Sequence, residues 1–177
     1  QQEIETTGWV TVDPKYCRPS FDTSCDIEYQ VTDWRHILPL NTDNNSKLII
    51  ASFDIETYSP NRSFPNPTSP VNDCPVIQIA TTFEKYGESK PYKIHLVNLN
   101  TCDPIDNHGD IPVELVTCNT EEELLKEWQR AIEKYDPDIL TGYNIWKFDL
   151  QYIYKRCQKC CIPINISRNR DTKYTLY

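Results

Sequence analysis

The hydrophobic residues of this chain fall in short runs that are separated by polar and proline-containing segments. The run 47–54 is apolar at nearly every position, which predicts a strand buried on both faces. Further runs predict strands over 76–83, 92–98 and 113–118. Four prolines interrupt the segment 58–73. We expect a long loop there, because proline disrupts central strands and helix interiors.

Two helices are predicted in the last third of the chain. Thr120 and Glu123 form a capping box, and the apolar residues that follow repeat at helical spacing on one face. The segment 138–143 then predicts a short buried strand. A second helix is expected over 148–161, with four residues that face inward: Leu150, Ile153, Tyr154 and Cys157.

The first 40 residues show a different pattern, in which short β-type runs alternate with turn-forming residues. They predict a small β-rich segment, and we place a domain boundary between 1–44 and 45–177. From residue 45 onward, a meander of strands is followed by strand–helix alternation. This order favours an α/β fold with a mixed sheet and flanking helices, and it resembles the order of a ribonuclease-H-like core.

The charge balance is acidic, since 18 Lys and Arg residues stand against 26 Asp and Glu residues, for a net charge of −8. Phosphate binding requires clustered basic residues, so we do not expect the chain to clamp nucleic acid by itself. No apolar run approaches the roughly 18 residues of a membrane span. The eight cysteines and three histidines give no complete zinc spacing. We favour reduced thiols in an intracellular protein.

Two carboxylates stand at the end of the first predicted strand, in the sequence Asp54-Ile55-Glu56. Residues i and i+2 of a strand point to the same face, so Asp54 and Glu56 project side by side. Adjacent carboxylates that are withdrawn from water repel each other unless a cation compensates them, and Mg²⁺ is a natural partner for oxygen ligands. The alternative is a solvated acidic pair at a strand end, because Asp-x-Glu arises often by chance.

A third carboxylate, Asp149, follows the segment that joins the last predicted strand to the last predicted helix. Asp149 or Asn144 could simply cap that helix. Alternatively, the connection brings Asp149 over the sheet toward Asp54 and Glu56. Three oxygen ligands at one sheet edge could hold two metal ions about 4 Å apart, which is the arrangement of metal-assisted phosphodiester hydrolysis.

The two carboxylate segments together resemble a known pair of motifs. The segment 53–57, Phe-Asp-Ile-Glu-Thr, is similar to the first exonuclease motif of B-family DNA polymerases, and the segment 142–149 is similar to the second. The gap between them suits the 3′–5′ exonuclease domain of these enzymes. The resemblance covers nearly the whole chain, and the proline-rich loop is closer to the polymerases of large DNA viruses than to cellular ones.

This resemblance implies a set of catalytic carboxylates that bind two Mg²⁺ ions, which Mn²⁺ could replace: Asp54, Glu56 and Asp149. It also implies that three residues contact the 3′ end of single-stranded DNA: Thr57, Asn144 and Phe148. The product would be a 5′-mononucleotide. The further partners would be primer–template DNA, the remainder of the polymerase chain and a processivity factor, at an intracellular site of viral replication.

One part of the family pattern is missing. The third exonuclease motif, a Tyr with an Asp a few residues on, belongs after the second. Tyr174 and Tyr177 cannot complete it here, because no acid follows Asp171. The chain also begins with Gln and contains no Met. We therefore expect an internal piece of a polymerase, with an exonuclease domain that is incomplete at its C-terminal end and has little activity alone.

Other interpretations stay open. The chain could be a stand-alone exonuclease of the same four-carboxylate class, a non-catalytic DNA-contacting module of the same fold, or an acidic α/β domain without a site. Within the last predicted helix, Tyr152, Lys155 and Arg156 could touch DNA. We expect them instead to cover the surface of the helix.

Overall fold

The computed structural model describes residues 8–169. Asp171, Tyr174 and Tyr177, on which the third-motif argument rests, lie outside the described residues. The described part divides into two compact units, residues 8–46 with 167–169 and residues 47–166. The larger unit contains both carboxylate segments.

The smaller unit contains two antiparallel strand pairs. β1 (Trp9–Thr11) pairs with β4 (Leu38–Leu40), and β2 (Cys17–Pro19) pairs with β3 (Tyr29–Val31). A short 3-10 turn precedes β2 and another precedes β4, and each begins with an aspartate that accepts a backbone N–H two residues further on. These elements confirm the predicted β-rich pattern over residues 8–40.

The larger unit is built on a five-stranded mixed sheet. Its strands are β5 (Ile49–Thr57), β6 (Val76–Lys85), β7 (Lys93–Leu99), β8 (Val113–Cys118) and β9 (Ile139–Thr141). They lie in the order β8-β7-β6-β5-β9. The pairs β5–β6 and β6–β7 are antiparallel, whereas β7–β8 and β5–β9 are parallel. The mixed sheet predicted from the order of elements is confirmed.

Two helices complete this unit, α1 (Glu121–Tyr135) and α2 (Asp149–Lys159). The predicted capping box starts α1: the hydroxyl of Thr120 accepts the N–H of Glu123 at 3.2 Å, and the Glu123 carboxylate accepts the N–H of Asn119 at 2.8 Å. Both predicted helices are therefore confirmed. No helix in the described part of the chain is long and apolar enough to cross a membrane.

One hydrophobic cluster joins the sheet to both helices. Trp128 of α1 is fully buried, and its ring centroid lies 5.1 Å from that of Phe53. The indole N–H of Trp128 donates to the hydroxyl of Thr81 at 3.3 Å. From α2, Leu150 and Ile153 enter the same cluster. The core therefore fixes the strand that carries the first carboxylate segment.

Two strands are less buried than the sequence pattern predicts. In β5, Phe53 and Ile55 are buried whereas Asp54 and Glu56 are exposed, so burial on both faces is wrong. Because successive residues of a strand alternate between faces, β5 has one core face and one acidic face. β9 has 3 residues, and its Ile139 is 41% exposed because β9 is an edge strand of the described sheet. The prediction that this strand is buried is therefore also wrong.

Helix α2 buries different side chains from those predicted. Tyr152 is 3% exposed and Arg156 is 2% exposed, so the expectation that they cover the helix surface is wrong. Lys155 is exposed as predicted, whereas Tyr154, predicted to face inward, is half-buried. The physical reason is that Tyr152 and Arg156 are buried by polar partners from distant segments. Hydrophobic periodicity along one helix cannot predict such partners.

Candidate active site

The candidate site forms where β5 runs past the end of its short neighbour. β9 pairs with β5 from Ile50 to Ser52. Three residues beyond Ser52, the N–H of Ile55 donates to Oδ1 of Asp149 at 3.3 Å. A side chain of α2 therefore satisfies a backbone donor of β5 that lies beyond the β9 pairing.

Glycine lets the chain pass close to β5 on its way to α2. A Cβ atom at Gly142 would lie 2.4 Å from the carbonyl oxygen of Phe53 and 2.5 Å from Cγ2 of Ile145. The first of these contacts is with backbone, which cannot rotate away. Gly142 thus sets how closely the connection after β9 approaches the residue before Asp54. This role was not predicted, and its signal in the sequence is a glycine inside the predicted strand 138–143, where another backbone can approach closely.

A tight turn sets the start of α2. Asn144 has a left-handed backbone with a φ of 55°, which Asn tolerates better than most residues. Its carbonyl accepts the N–H groups of Lys147 and Phe148, both at 3.1 Å. Phe148 is the N-cap residue, and no side chain caps the helix. The alternative that Asn144 or Asp149 caps α2 is therefore wrong, and the Asp149 carboxylate bonds to β5 instead.

Asp149 is a buried acid beside another acid, and it is 2% exposed. Burial raises the pKa of its carboxyl, and the neighbouring Asp54 carboxyl raises it further. Hydrogen bonds from its own N–H and from the N–H of Ile55 lower the pKa, but the net shift is upward. The two carboxyls repel each other when both are ionised. A proton or a cation shared between them relieves that repulsion.

The structure brings two of the three predicted metal ligands together, Asp54 and Asp149. Glu56 lies on the same face of β5 as Asp54, two residues further along, and is exposed. Within residues 8–169, no group of three or more His, Cys, Asp or Glu side chains is close enough to hold a metal ion jointly. The assignment of all three acids as metal ligands and catalytic residues stays a prediction.

The three residues predicted to contact DNA lie at the end of β5 and at the start of α2. Thr57 ends β5 at a register shift against β6, and Asn144 is exposed in the turn. The ring of Phe148 lies 5.5 Å from that of Phe64 and 5.5 Å from that of Tyr152. Phe64, which is 81% exposed, was not predicted; its one signal is a large apolar side chain among prolines. Contact of these residues with DNA stays a prediction.

The donor atoms of the site suit a hard divalent cation in kind. Asp54 and Asp149 supply carboxylate oxygens, which Mg²⁺ prefers, and their repulsion is what a cation would relieve. All eight cysteines are free. Burial raises the pKa of the Cys157 thiol to about 12, so without a metal this thiol stays protonated at neutral pH.

Comparisons with known proteins bear on the same residues. Residues 1–174 match the family described as DNA polymerase family B, exonuclease domain. A DNA polymerase of Paramecium bursaria Chlorella virus NY2A is 35% identical over 159 residues, which cover 90% of this chain and 16% of that protein. A DNA polymerase delta catalytic subunit of Oryza sativa subsp. japonica is 39% identical over 109 residues, which cover 62% of this chain and 9% of that protein.

A solved structure shares the fold. The family B DNA polymerase from the hyperthermophilic archaeon Pyrobaculum calidifontis aligns with a TM-score of 0.60 and 19% identity, over 91% of this chain and 17% of that chain. The likeness supports the predicted ribonuclease-H-like sheet with flanking helices. This chain spans less than a fifth of the length of each of these three proteins. It belongs to the exonuclease domain family of the family B DNA polymerases.

Proposed function

We propose that this chain is the proofreading 3′–5′ exonuclease region of a replicative DNA-directed DNA polymerase. Its reaction is the hydrolysis of the last phosphodiester at a DNA 3′ end, which releases a 5′-mononucleotide. One observation carries the proposal: in a chain of this family, Asp149 is buried at the start of α2, bonded to β5 and placed beside Asp54. An acid held in this way has a role other than capping its helix.

Three carboxylates hold the metal in this proposal: Asp54, Glu56 and Asp149. They would hold two Mg²⁺ ions, for which Mn²⁺ could substitute, and these ions would supply the positive charge that lowers the pKa of the attacking water and stabilises the leaving 3′-oxygen. The hydrogen bond from Ile55 holds the Asp149 carboxylate in place before any ligand binds. Glu56, which is exposed on the same strand face as Asp54, helps to orient the attacking water.

The proposed substrate is the 3′ end of single-stranded DNA. Thr57, Asn144 and Phe148 contact it, and Phe148 together with Phe64 offers aromatic surface on which bases stack. The ring centroids of these two phenylalanines are 5.5 Å apart. The net charge of −8 gives little attraction for phosphates. The grip on duplex DNA therefore comes from the rest of the polymerase.

The surrounding polymerase is part of the same proposal. Residues 1–44 belong to its N-terminal domain and residues 45–177 to its exonuclease domain. DNA synthesis on a primer–template and binding of a processivity factor belong to the full-length protein. We place it in the intracellular replication of a large DNA virus, which the proline-rich loop and the 35% identity to a chlorella virus polymerase support. The 177 residues alone are expected to have little activity and to bind DNA weakly.

The test follows the shortening of 5′-labelled single-stranded DNA by the polypeptide that carries this chain, extended through its C-terminal end. The assay is run with Mg²⁺, with a chelator, and with the double variant Asp54→Ala plus Glu56→Ala. Glu88→Ala, which removes an exposed acid from a loop, is the matched control. Primer extension by the same preparations measures polymerase activity.

The expected result is Mg²⁺-dependent shortening from the 3′ end, lost in the double variant and kept in Glu88→Ala, together with primer extension. Shortening without primer extension would favour a stand-alone exonuclease. Primer extension without shortening would favour a non-catalytic module. Shortening that survives the double variant would show that these carboxylates are structural and that the proposed site is wrong.

A further inference from the structure

Three polar residues form one buried stripe along α2: Asp149, Tyr152 and Arg156. They are three and four residues apart, so they lie on one face of the helix. Their exposed fractions are 2%, 3% and 2%. Polar side chains of this size are seldom buried without partners. Apart from the N–H of Asp149 itself, the described hydrogen-bond partners of these three side chains come from outside α2, as the bond between Asp149 and Ile55 already shows.

Arg156 makes the most contacts of the three. Its guanidinium donates to both carboxylate oxygens of Glu121, from Nε at 2.7 Å and from Nη2. Its Nη1 donates to the carbonyl of Pro67 at 3.1 Å and to the carboxylate of Asp73 at 2.8 Å. A lysine cannot reproduce this planar fork. One side chain therefore joins α2 to the start of α1 and to the loop between β5 and β6.

The neighbouring contacts lead back to the end of β5. Oε1 of Glu121 also accepts the N–H of Val76 at 2.8 Å, and Val76 pairs with Thr57 in the β5–β6 ladder. One turn before Arg156, the hydroxyl of Tyr152 donates to the carbonyl of Cys74 at 2.7 Å. The chain segment that enters β6, opposite the end of β5, is thus held by both helices.

The charges in this cluster depend on one another. Burial alone would lower the pKa of Arg156, but its hydrogen bonds to Glu121 and Asp73 outweigh burial and hold that pKa above its usual value. Loss of Arg156 would leave the Glu121 carboxylate without its cation, whereas loss of Glu121 would leave the buried guanidinium with Asp73 alone. Lys159 of the same helix also contacts Asp73, at 2.7 Å, but is exposed. It therefore serves as a matched control.

We propose that Arg156 is a positioning residue for the exonuclease reaction. It holds α2 against the ends of β5 and β6, so that Asp149 keeps its bond to Ile55 and its place beside Asp54. Arg156 acts through the hydrogen bond between Asp149 and Ile55, and it touches neither DNA nor the reacting atoms. The inference rests on the proposed function for its kinetic test, whereas its structural test is independent of that function.

The structural test uses hydrogen–deuterium exchange on the full polypeptide that carries this chain. The variants are Arg156→Lys, which keeps the charge and loses the fork, Glu121→Gln, and Lys159→Gln as control. In Arg156→Lys, the peptide 53–58 should gain one fast-exchanging amide compared with the wild type. This amide is the N–H of Ile55, which should exchange at least about 10-fold faster because Asp149 no longer protects it. The peptide 124–132 of α1 should exchange as in the wild type, and Lys159→Gln should change neither peptide.

The kinetic test separates positioning from DNA contact. With single-stranded DNA and saturating Mg²⁺, at a temperature where every variant is folded, kcat of Arg156→Lys should fall about 10- to 100-fold, the loss expected from a misplaced catalytic group. Its KM should stay within about threefold of the wild type, because Arg156→Lys removes no contact with the bound DNA substrate. Direct contact between Arg156 and DNA would instead raise KM and leave kcat unchanged.

Two results would overturn the inference. One is unchanged exchange of the peptide 53–58 in both Arg156→Lys and Glu121→Gln. The other is a lower melting temperature with kcat unchanged, which would show a purely structural role. If Arg156→Lys does not fold, Glu121→Gln decides the question by the same readouts. If the wild-type protein has no exonuclease activity, the proposed function fails, and the exchange measurement still decides whether Arg156 positions Asp149.

Discussion

The two helices of the larger unit use their polar side chains differently. In α1, Thr120 and Glu123 bond to backbone groups at the start of the helix itself, and an apolar face with Trp128 enters the core. In α2, no side chain caps the start, and Asp149 and Arg156 are buried against other segments. Thr120 and Glu123 thus stabilise the start of α1 itself, whereas Asp149 and Arg156 hold segments that neighbour α2.

The difference suggests a division of roles: α1 stabilises the fold, whereas the start of α2 forms part of the candidate site. Helix α2 forgoes a cap that typically contributes about 1 kcal/mol, and it places Asp149 beside another acid. Local conflicts of this kind are typical of functional sites. Substitutions in α1 should therefore lower stability, whereas substitutions at the start of α2 should change the site and can raise stability.

The largest expected effect tests the role of α1 in the core. Trp128→Ala should lower the free energy of unfolding by about 3–5 kcal/mol, because it removes a fully buried indole and leaves a cavity. Trp146→Ala is the control, since Trp146 is 70% exposed; it should change stability by less than about 0.5 kcal/mol. Urea titrations measure both. Similar losses in the two variants would show that α1 does not anchor the fold.

The next effect tests how closely the chain before α2 approaches β5. Gly142→Ala should lower the free energy of unfolding by about 1–3 kcal/mol, because its new methyl group meets the carbonyl oxygen of Phe53. To relieve this contact, the connection to α2 must move away from β5, and this movement should also weaken the bond between Asp149 and Ile55. Urea titration measures the first effect and exchange of the Ile55 amide the second. Unchanged Ile55 exchange would mean that the two contacts are independent.

A substitution at the start of α2 should raise the free energy of unfolding, whereas the two substitutions above lower it. The carboxyl of Asp149 has a higher pKa in the folded protein than in the unfolded chain, so the unfolded chain loses this proton first as pH rises. The free energy of unfolding therefore falls between the two pKa values and stays lower above them. Asp149→Asn removes this pH-dependent loss and should raise the free energy of unfolding at pH 7 in the absence of divalent cations.

Thermal unfolding across a pH series checks this gain. The advantage of Asp149→Asn should be largest at neutral pH, should shrink as pH falls from the raised pKa of the folded protein toward the usual range for a carboxyl, and should be absent below that range. Asn can still accept the N–H of Ile55, so the core contact is kept. A loss of stability at every pH would show that Asp149 is a structural acid.

The smallest effect completes the comparison at the start of α1. Thr120→Ala should lower the free energy of unfolding by about 1 kcal/mol, because the N–H of Glu123 loses its acceptor. Thr120→Ser, which keeps the hydroxyl, should stay within a few tenths of a kcal/mol of the wild type. Urea titration again measures both. A stabilising effect of Thr120→Ala would remove the contrast between the two helix starts.

The sequence predicts α1 and the mixed sheet because their signals are local. The capping box spans four residues, and the apolar periods repeat within single elements. The buried stripe of α2 was missed because its partners are distant in sequence: Arg156 bonds to acids 35 and 83 residues away, and Asp149 bonds to a backbone group 94 residues away. Pattern analysis found the site acids as a motif, and it could not show which of them are buried or in contact.

We infer that the start of α2 and the end of β5 form one cation-binding acidic site. The most direct test is Mn²⁺ binding to the polypeptide that carries this chain, measured from the electron paramagnetic resonance signal of the free ion. We compare the wild type with Asp54→Asn, Asp149→Asn and the control Glu88→Gln. Each of the first two substitutions should remove a bound Mn²⁺ or weaken its binding at least about 10-fold. Mg²⁺ should compete for the same site, and Glu88→Gln should behave as the wild type. Equal Mn²⁺ binding by all four proteins would show that these acids do not form a shared cation site.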